Sequence, residues 1–307
     1  MLLIDFSNAF NLVDRSNIIK EVRAHCPSIS HWVEFCYAKP AKLYYLKSVR
    51  SSAKGVQHGD PLDPLLFALA LHPLIEKIAA QCTLDLHAWY LDDGTMVGDT
   101  MEVSKALKII QEEGPSYGLH LNISKTENFW PSYDPRRDNS DVFPPNIGKP
   151  VDGVKLLGGP VSLSMEFCSN MVLSRVDKAV QLMGNIQELE DPQSELLLLR
   201  NCTGVARMYF TLRTTSPKAI QSAAVMFDKH LMDYLRRLVV GDGAGFGLVQ
   251  QRLATLPIKD GGLGVLTMAD TGMYCYLASH AQTQQLQQLI LGLTNVTDPC
   301  LSYQHAL

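Results

Sequence analysis

The chain is 307 residues long, 46% hydrophobic and 19% charged, with a formal net charge of −4. So much apolar material excludes a disordered chain, which combines few apolar residues with high net charge; 21 Gly and 16 Pro exclude a collagen or a low-complexity linker. Net acidity speaks against a generic nucleic-acid binder, yet residues 61–164 gather 14 acidic against 8 basic side chains, either a solvated face or carboxylates assembled for cations. In chain order, Met1 to Phe6 reads as a short buried strand, and Asn8 to Cys26 as a helix stopped by Pro27. Ser30 to Tyr37 reads as a second helix and Lys42 to Val49 as a strand. Pro64 to Gln81 is a strongly apolar helix with a proline well placed in its first turn. Leu84–Tyr90 and Thr95–Val97 flank a turn ending in Asp93-Gly94, a hairpin signal. Val103 to Tyr117 has amphipathic spacing, Asn128 to Trp130 reads as a strand edge, and Pro131 to Gly153, with five prolines, as a loop. Val154–Leu157 and Val161–Leu163 flank Gly158-Gly159-Pro160 as a compact hairpin. Helical spacing then dominates, at roughly 165–190, 194–212, 216–240, 247–257 and 268–291.

The longest apolar run, Leu65 to Ile75, is 11 residues and includes His72 and Pro73. A bilayer span needs about 20, so no membrane-spanning helix is expected. The opening residues lack the basic stretch of a signal peptide. Seven cysteines are scattered and never form a C-x-x-C pair, which predicts reduced thiols of an intracellular protein, nuclear or cytoplasmic.

The chemistry concentrates in carboxylates. Asp92-Asp93 sit at the tip of an expected hairpin, and Asp5 ends an expected strand. Acidic residues ending two neighbouring strands suit a pair of hard divalent cations about 3.5–4 Å apart, the arrangement used in phosphoryl and nucleotidyl transfer. By themselves the same residues also suit a surface turn and a helix cap.

Their company narrows the choice. Ile4-Asp5-Phe6-Ser7-Asn8-Ala9-Phe10, Gln57-His58-Gly59-Asp60-Pro61-Leu62 and Tyr90-Leu91-Asp92-Asp93-Gly94 occur in that order. They resemble the A, B and C blocks of reverse transcriptases, specifically those of non-LTR (LINE-type) retrotransposons. Gly118 to Asn122 with Lys125-Thr126-Glu127 resembles the D block, and Lys155 to Gly159 the E block. Leu256-Pro257-Ile258 with Gly261-Gly262-Leu263-Gly264 is similar to a stretch that follows the polymerase domain in such elements.

The resemblance implies an α+β polymerase palm over 1–163 with a small antiparallel sheet, a helical thumb over 164–257 and a helical extension over 258–307. It implies RNA-directed DNA polymerase activity, joining a dNTP to a primer 3′-hydroxyl on an RNA template with a DNA primer. Asp5, Asp92 and Asp93 match the carboxylates that hold two Mg²⁺ ions, with Mn²⁺ as the alternative, and Phe6 offers its backbone carbonyl. Phe10 matches the aromatic under the incoming sugar, although it also suits a core position. Gln57 and Gly59 match the turn at the incoming nucleotide and template. Lys125 matches a lysine near the leaving pyrophosphate, with a solvated surface lysine as the alternative. Leu157, Gly158 and Gly159 match the primer grip. Arg200 and Arg207, seven apart, are expected on one helical face of the thumb, with Arg213, Lys218, Arg236 and Arg237 adding charge for phosphates. The chain begins four residues before Asp5, where the family carries fingers, so a truncation is expected, with a separate chain as one source of the fingers. His58 stands where the family often has Gln, and Asp63 where it has Gly, a position expected to strain the backbone. These departures keep a second reading open, a catalytically inactive, repurposed module that binds nucleic acid or protein.

Overall fold

The computed structural model describes residues 1–57, 59–241 and 243–290. They form two compact units, Met1–Val151 and the residues from Asp152 onward. The fold class is α+β, as expected.

The first unit contains β1 (Leu2–Ile4), α1 (Ala9–Leu12), α2 (Arg15–His25), α3 (Ser30–Tyr37), β2 (Ala41–Tyr45), β3 (Ser48–Ser52), α4 (Asp63–Gln81), β4 (Leu86–Tyr90), β5 (Asp93–Val97), α5 (Thr100–Glu113) and β6 (Glu127–Asn128). Strands β4, β5, β1 and β6 make an antiparallel sheet in that order. Alternation sends Leu2 and Ile4 of β1 and Met96 of β5 into one buried face. There they join Leu66, Phe67, Leu71, Leu74 and Ile78 of α4 and Val103, Leu107 and Ile110 of α5 in a single core. The spacing along α4 is the 3.6-residue stripe read from the sequence.

Several boundaries move, each for a local physical reason. The helix expected over 8–26 is two, because the Asp14 carboxylate accepts from the backbone N–H groups of Ser16 (2.8 Å) and Asn17 (3.2 Å) and starts a new helix. The strand expected over 42–49 is a hairpin turning at Leu46-Lys47, with Leu46 left-handed at φ 50°. The 103–117 helix starts earlier, at Thr100, and gives way to a 3₁₀ turn over Gly114–Tyr117. In the acidic hairpin the turn is Leu91-Asp92, with Asp93 already paired to Tyr90 and Gly94 inside β5. A Cβ on Gly94 would stand 2.5 Å from the Trp89 ring, so this glycine serves close approach rather than the turn. Asp63 causes no strain; it occupies the first turn of α4 in ordinary helical backbone, where a negative charge suits the helix dipole.

The second unit opens with a hairpin, β7 (Val154–Leu156) and β8 (Gly159–Val161). It continues with α6 (Met165–Gln187), α7 (Pro192–Leu198), α8 (Tyr209–Thr214), α9 (Pro217–Val240), α10 (Leu248–Thr255) and α11 (Met268–Ile290). The hairpin turns at Leu157-Gly158, both left-handed, as a two-residue turn with the strands' own twist requires. Gly159 and Pro160 therefore lie in β8, beyond the turn expected of them. The helix expected over 194–212 is interrupted by a π turn at Leu199–Thr203 and a 3₁₀ turn at Val205–Met208. Arg200 and Arg207 consequently do not share one continuous helical face. Val172, Val176 and Ala179 of α6 and Ile220, Phe227 and Leu231 of α9 anchor the core. Asp228 of α9 accepts the N–H groups of Met268 (2.6 Å) and Ala269 (2.9 Å), tying the start of α11 to it. Among the described residues no helix is long and apolar enough to cross a membrane, and the six described cysteines are free thiols.

Leu74 is fully buried, whereas Leu43 on the β2–β3 hairpin is 54% exposed. Leu74→Ala should cost about 2–5 kcal/mol in urea unfolding, and Leu43→Ala less than about 0.5 kcal/mol.

Candidate active site

Strand β1 delivers Asp5. Its register against β5 pairs Ile4 with Gly94, which leaves Asp5 and Asp93 as the next residues along the two antiparallel chains. Asp92 occupies the adjoining turn beside Leu91, which is left-handed at φ 55°, a conformation costing a non-glycine residue about 1–2 kcal/mol. Burial, then the like charges of Asp92 and Asp5, push the Asp93 carboxyl above the ordinary carboxylate range. The charges of both neighbours thus bear on Asp93 at one end of the sheet. Among the described residues no three His, Cys, Asp or Glu side chains close into a coordination sphere. The donor set nonetheless suits a hard divalent cation, whose charge would relieve this repulsion.

The D-block turn is fastened to the same strand end. Asn122 N–H donates to the Asp5 carbonyl at 2.8 Å, and Asp5 N–H donates to Thr126 Oγ1 at 3.4 Å. Lys125 is exposed on this turn. Phe6 bridges to Leu121 through its backbone, and its buried ring stacks on Trp89 with centroids 6.0 Å apart.

Phe10 on α1 stacks on Phe67 of α4 at 4.2 Å, the rings 10° from parallel. Its carbonyl accepts the N–H of Val56 at 2.8 Å, which seats the B-block loop on α1. Gln57 and Gly59 lie in this loop, Gly59 left-handed at φ 93°; His58 lies outside the described residues. The loop is held by residues that the sequence reading passed over. Arg15 donates from Nε to the Gly55 carbonyl (2.8 Å) and from Nη1 to the Ser52 carbonyl (2.7 Å), and its guanidinium lies 5.3 Å over the Tyr37 ring. Tyr37 Oη donates to Asp60 (2.8 Å) and accepts the N–H of Gln57 (3.2 Å). The sequence carried no signal for Arg15, because the helix expected over 8–26 put it mid-helix; only the break at Asp14 places it in a first turn, where the dipole disfavours a cation unless something else holds it.

Leu157, Gly158 and Gly159 belong to the second unit. The Gly158 carbonyl accepts from Arg175 of α6, which also donates to Thr211 Oγ1 at 2.6 Å and lies 5.9 Å over the Phe210 ring. Beside the turn is a cleft of about 410 Å³ whose charged lining is Arg175, Lys178 and Arg207. Only Arg207 of these was singled out from the sequence. In the first unit a cleft of about 550 Å³ opens at the Met1 end of β1, away from Asp5. Its Arg136 is matched by Asp134 and Asp99 (2.8 and 3.0 Å) and holds both carboxyls below the ordinary range.

The protein family described as reverse transcriptase (RNA-dependent DNA polymerase) matches residues 1–161, more than half of the chain. The chain belongs to that family. Among solved structures, telomerase from Candida albicans, in complex with a TWJ fragment of telomeric RNA, is similar at a TM-score of 0.37 and 9% identity. The match covers 97% of this chain and 51% of that one, so this chain spans about half its length. No curated protein sequence matches.

Tyr37 is 2% exposed, and its phenol is pushed up to about 12, by burial first and then by Asp60. A free phenol ionises near about 10. Its contribution to stability is therefore full below pH 10 and is lost as pH rises from about 10 to about 12. Tyr37→Phe should cost about 1–3 kcal/mol at pH 8, and urea melts should show this difference shrinking across that window.

Proposed function

We propose that the chain is the reverse transcriptase domain of a non-LTR (LINE-type) element, joining a dNTP to a primer 3′-hydroxyl on an RNA template. The observation that carries the reading is that Asp5, next after β1, and Asp92, in the adjoining turn, both lie close enough to Asp93 for their charges to act on it, in a chain of this family. Asp5, Asp92 and Asp93 would hold two Mg²⁺ ions, or Mn²⁺. When bound, such ions activate an attacking oxygen and stabilise a leaving one. The protein's own part is positioning. Phe10, backed by Phe67, is a stiff wall for the sugar and disfavours a 2′-hydroxyl. Gln57 and Gly59, braced through Arg15 and Tyr37, would contact the incoming nucleotide and template. Lys125 would set a point charge by the leaving pyrophosphate, and Leu157, Gly158 and Gly159 would bring backbone to the primer end.

Nucleic-acid binding has support of its own. Residues 39–54 carry Lys39, Lys42, Lys47, Arg50 and Lys54 with no acidic side chain. On the β2–β3 hairpin Tyr44 is 77% and Tyr45 67% exposed. Basic side chains that track phosphates beside aromatic rings that stack on bases are the components of single-strand binding. The same features support a second reading, a binding module without catalysis.

Two measurements separate these. Asp92→Asn should lower Mg²⁺-dependent dNTP incorporation on an RNA template by about 10²–10³-fold or more while leaving template binding intact. Equal incorporation by parent and variant would reject the catalytic assignment. Replacing Lys42, Lys47 and Arg50 together with Gln should flatten the slope of log affinity against log salt for single-stranded RNA by about 2, at roughly 0.7 per phosphate contact. An unchanged slope would remove the hairpin from the binding surface.

A further inference from the structure

A single indole touches the residue that follows each of two carboxylates. Trp89 of β4 stands directly across from Gly94 of β5, and a Cβ on Gly94 would lie 2.5 Å from its ring. The same ring stacks on Phe6, with centroids 6.0 Å apart and planes 13° from parallel. Gly94 follows Asp93, and Phe6 follows Asp5. The placement of this ring therefore bears on both backbone segments from which those carboxylates project.

The indole is fixed by a polar contact outside the polymerase roles. Trp89 Nε1–H donates to His87 Nε2 at 2.6 Å, and the two rings meet edge to face at 73°. Being two apart, the residues share one side of β4. An indole N–H only donates, so His87 Nε2 is unprotonated and the ring's proton sits on Nδ1. Burial favours this neutral form and is the one cause that lowers the proton affinity of His87. In the sheet β4 lies beside β5 alone. The other ionisable side chains of these strands, Tyr90 and Asp93, oppose each other and alternate to the other side from His87. On the helices of the same core, Lys77 is paired with Glu113 (2.6 Å), Glu102 accepts the N–H of Thr83 (2.8 Å) and Lys105 donates to the Gln81 carbonyl. None of these charges contributes to the shift.

We infer that His87 is a positioning residue: by accepting the Trp89 N–H, its neutral imidazole holds the indole against Gly94 and Phe6 and so fixes the backbone that carries Asp93 and Asp5. This rests on the reading of those carboxylates as the metal-binding set. A proton on Nε2 would set two donors face to face, and one ring would have to turn away. The contact is intact above about pH 6.5, the ordinary midpoint of a histidine, and is lost as pH falls below it.

The test follows the full chain from pH 8 toward pH 5, over the range in which circular dichroism shows it folded. The comparison is His87→Gln, whose side-chain oxygen still accepts the indole N–H but does not titrate. Tryptophan emission of the parent should fall on acidification, because an imidazolium in contact with an indole quenches it. His87→Gln should lack that component, and the contributions of Trp32 and Trp130 cancel in the difference. Mg²⁺-dependent dNTP incorporation should fall at least about threefold further in the parent than in His87→Gln, since protonation of Asp93 is common to both. Emission or incorporation that falls alike in the two chains would overturn the inference and leave the polymerase reading standing. A parent inactive even at pH 8 would instead reject the polymerase reading, and this role with it, whatever the emission shows.

Discussion

Leu2, Leu3 and Ile4 make the central strand of the first unit's sheet, hydrogen-bonded to β5 on one side and to β6 on the other. Everything at the carboxylate end depends on that pairing. Leu2 and Ile4 are buried, so a slip of one residue would carry both out of the core and onto the opposite face. It would also separate Asp5 from Asp93. The core therefore holds the register, and the register holds the carboxylates. Burial on one face of a three-residue strand is what fixes the chemistry at its end.

That end of the sheet carries an electrostatic cost. Asp93 is held above its ordinary range by burial and by two like charges, and Leu91 beside them sits in a left-handed conformation that only glycine adopts freely. Tension of both kinds concentrates where a site has been arranged for something other than stability. The surrounding structure opposes it with ordinary means. Phe10 and Phe67 stack, Trp89 covers Gly94, and the Arg15–Tyr37–Asp60 chain of contacts braces the neighbouring loop. Tyr37 links this bracing to solvent conditions, because the contribution of its buried phenol disappears at alkaline pH.

The second unit solves a different problem. Its helices meet along apolar faces, and π and 3₁₀ turns break the helical spacing between α7 and α8. Arg175 and Arg200 differ in how their donors are met. Arg175 spends its donors on the Gly158 carbonyl and Thr211 and so anchors a hairpin tip. Arg200 keeps its Nε buried beside Gly264 and unmatched among the described residues.

By itself the sequence determined the α+β class, the apolar stripe of α4, the long helices α6, α9 and α11 and the order of the motif blocks. Each of these is a local pattern or a short run of residue types. The carboxylates were legible for the same reason, since Asp5 ends a strand and Asp92-Asp93 border a hairpin in contiguous motifs. What the tertiary structure alone decided depends on partners far apart in the chain. Gly94 looked like a turn residue because D-G usually is one, but the Trp89 ring claims the space above it. The break at Asp14 and the turn at Leu46 gave no Gly or Pro signal, because a side-chain cap and a left-handed leucine made them. Arg15 reaches Ser52 and Gly55, and Arg200 meets Gly264, across tens of residues of intervening chain, and no local period encodes those meetings. Spacing of seven placed Arg200 and Arg207 on one face only while the helix between them was regular, and the π turn removed that regularity.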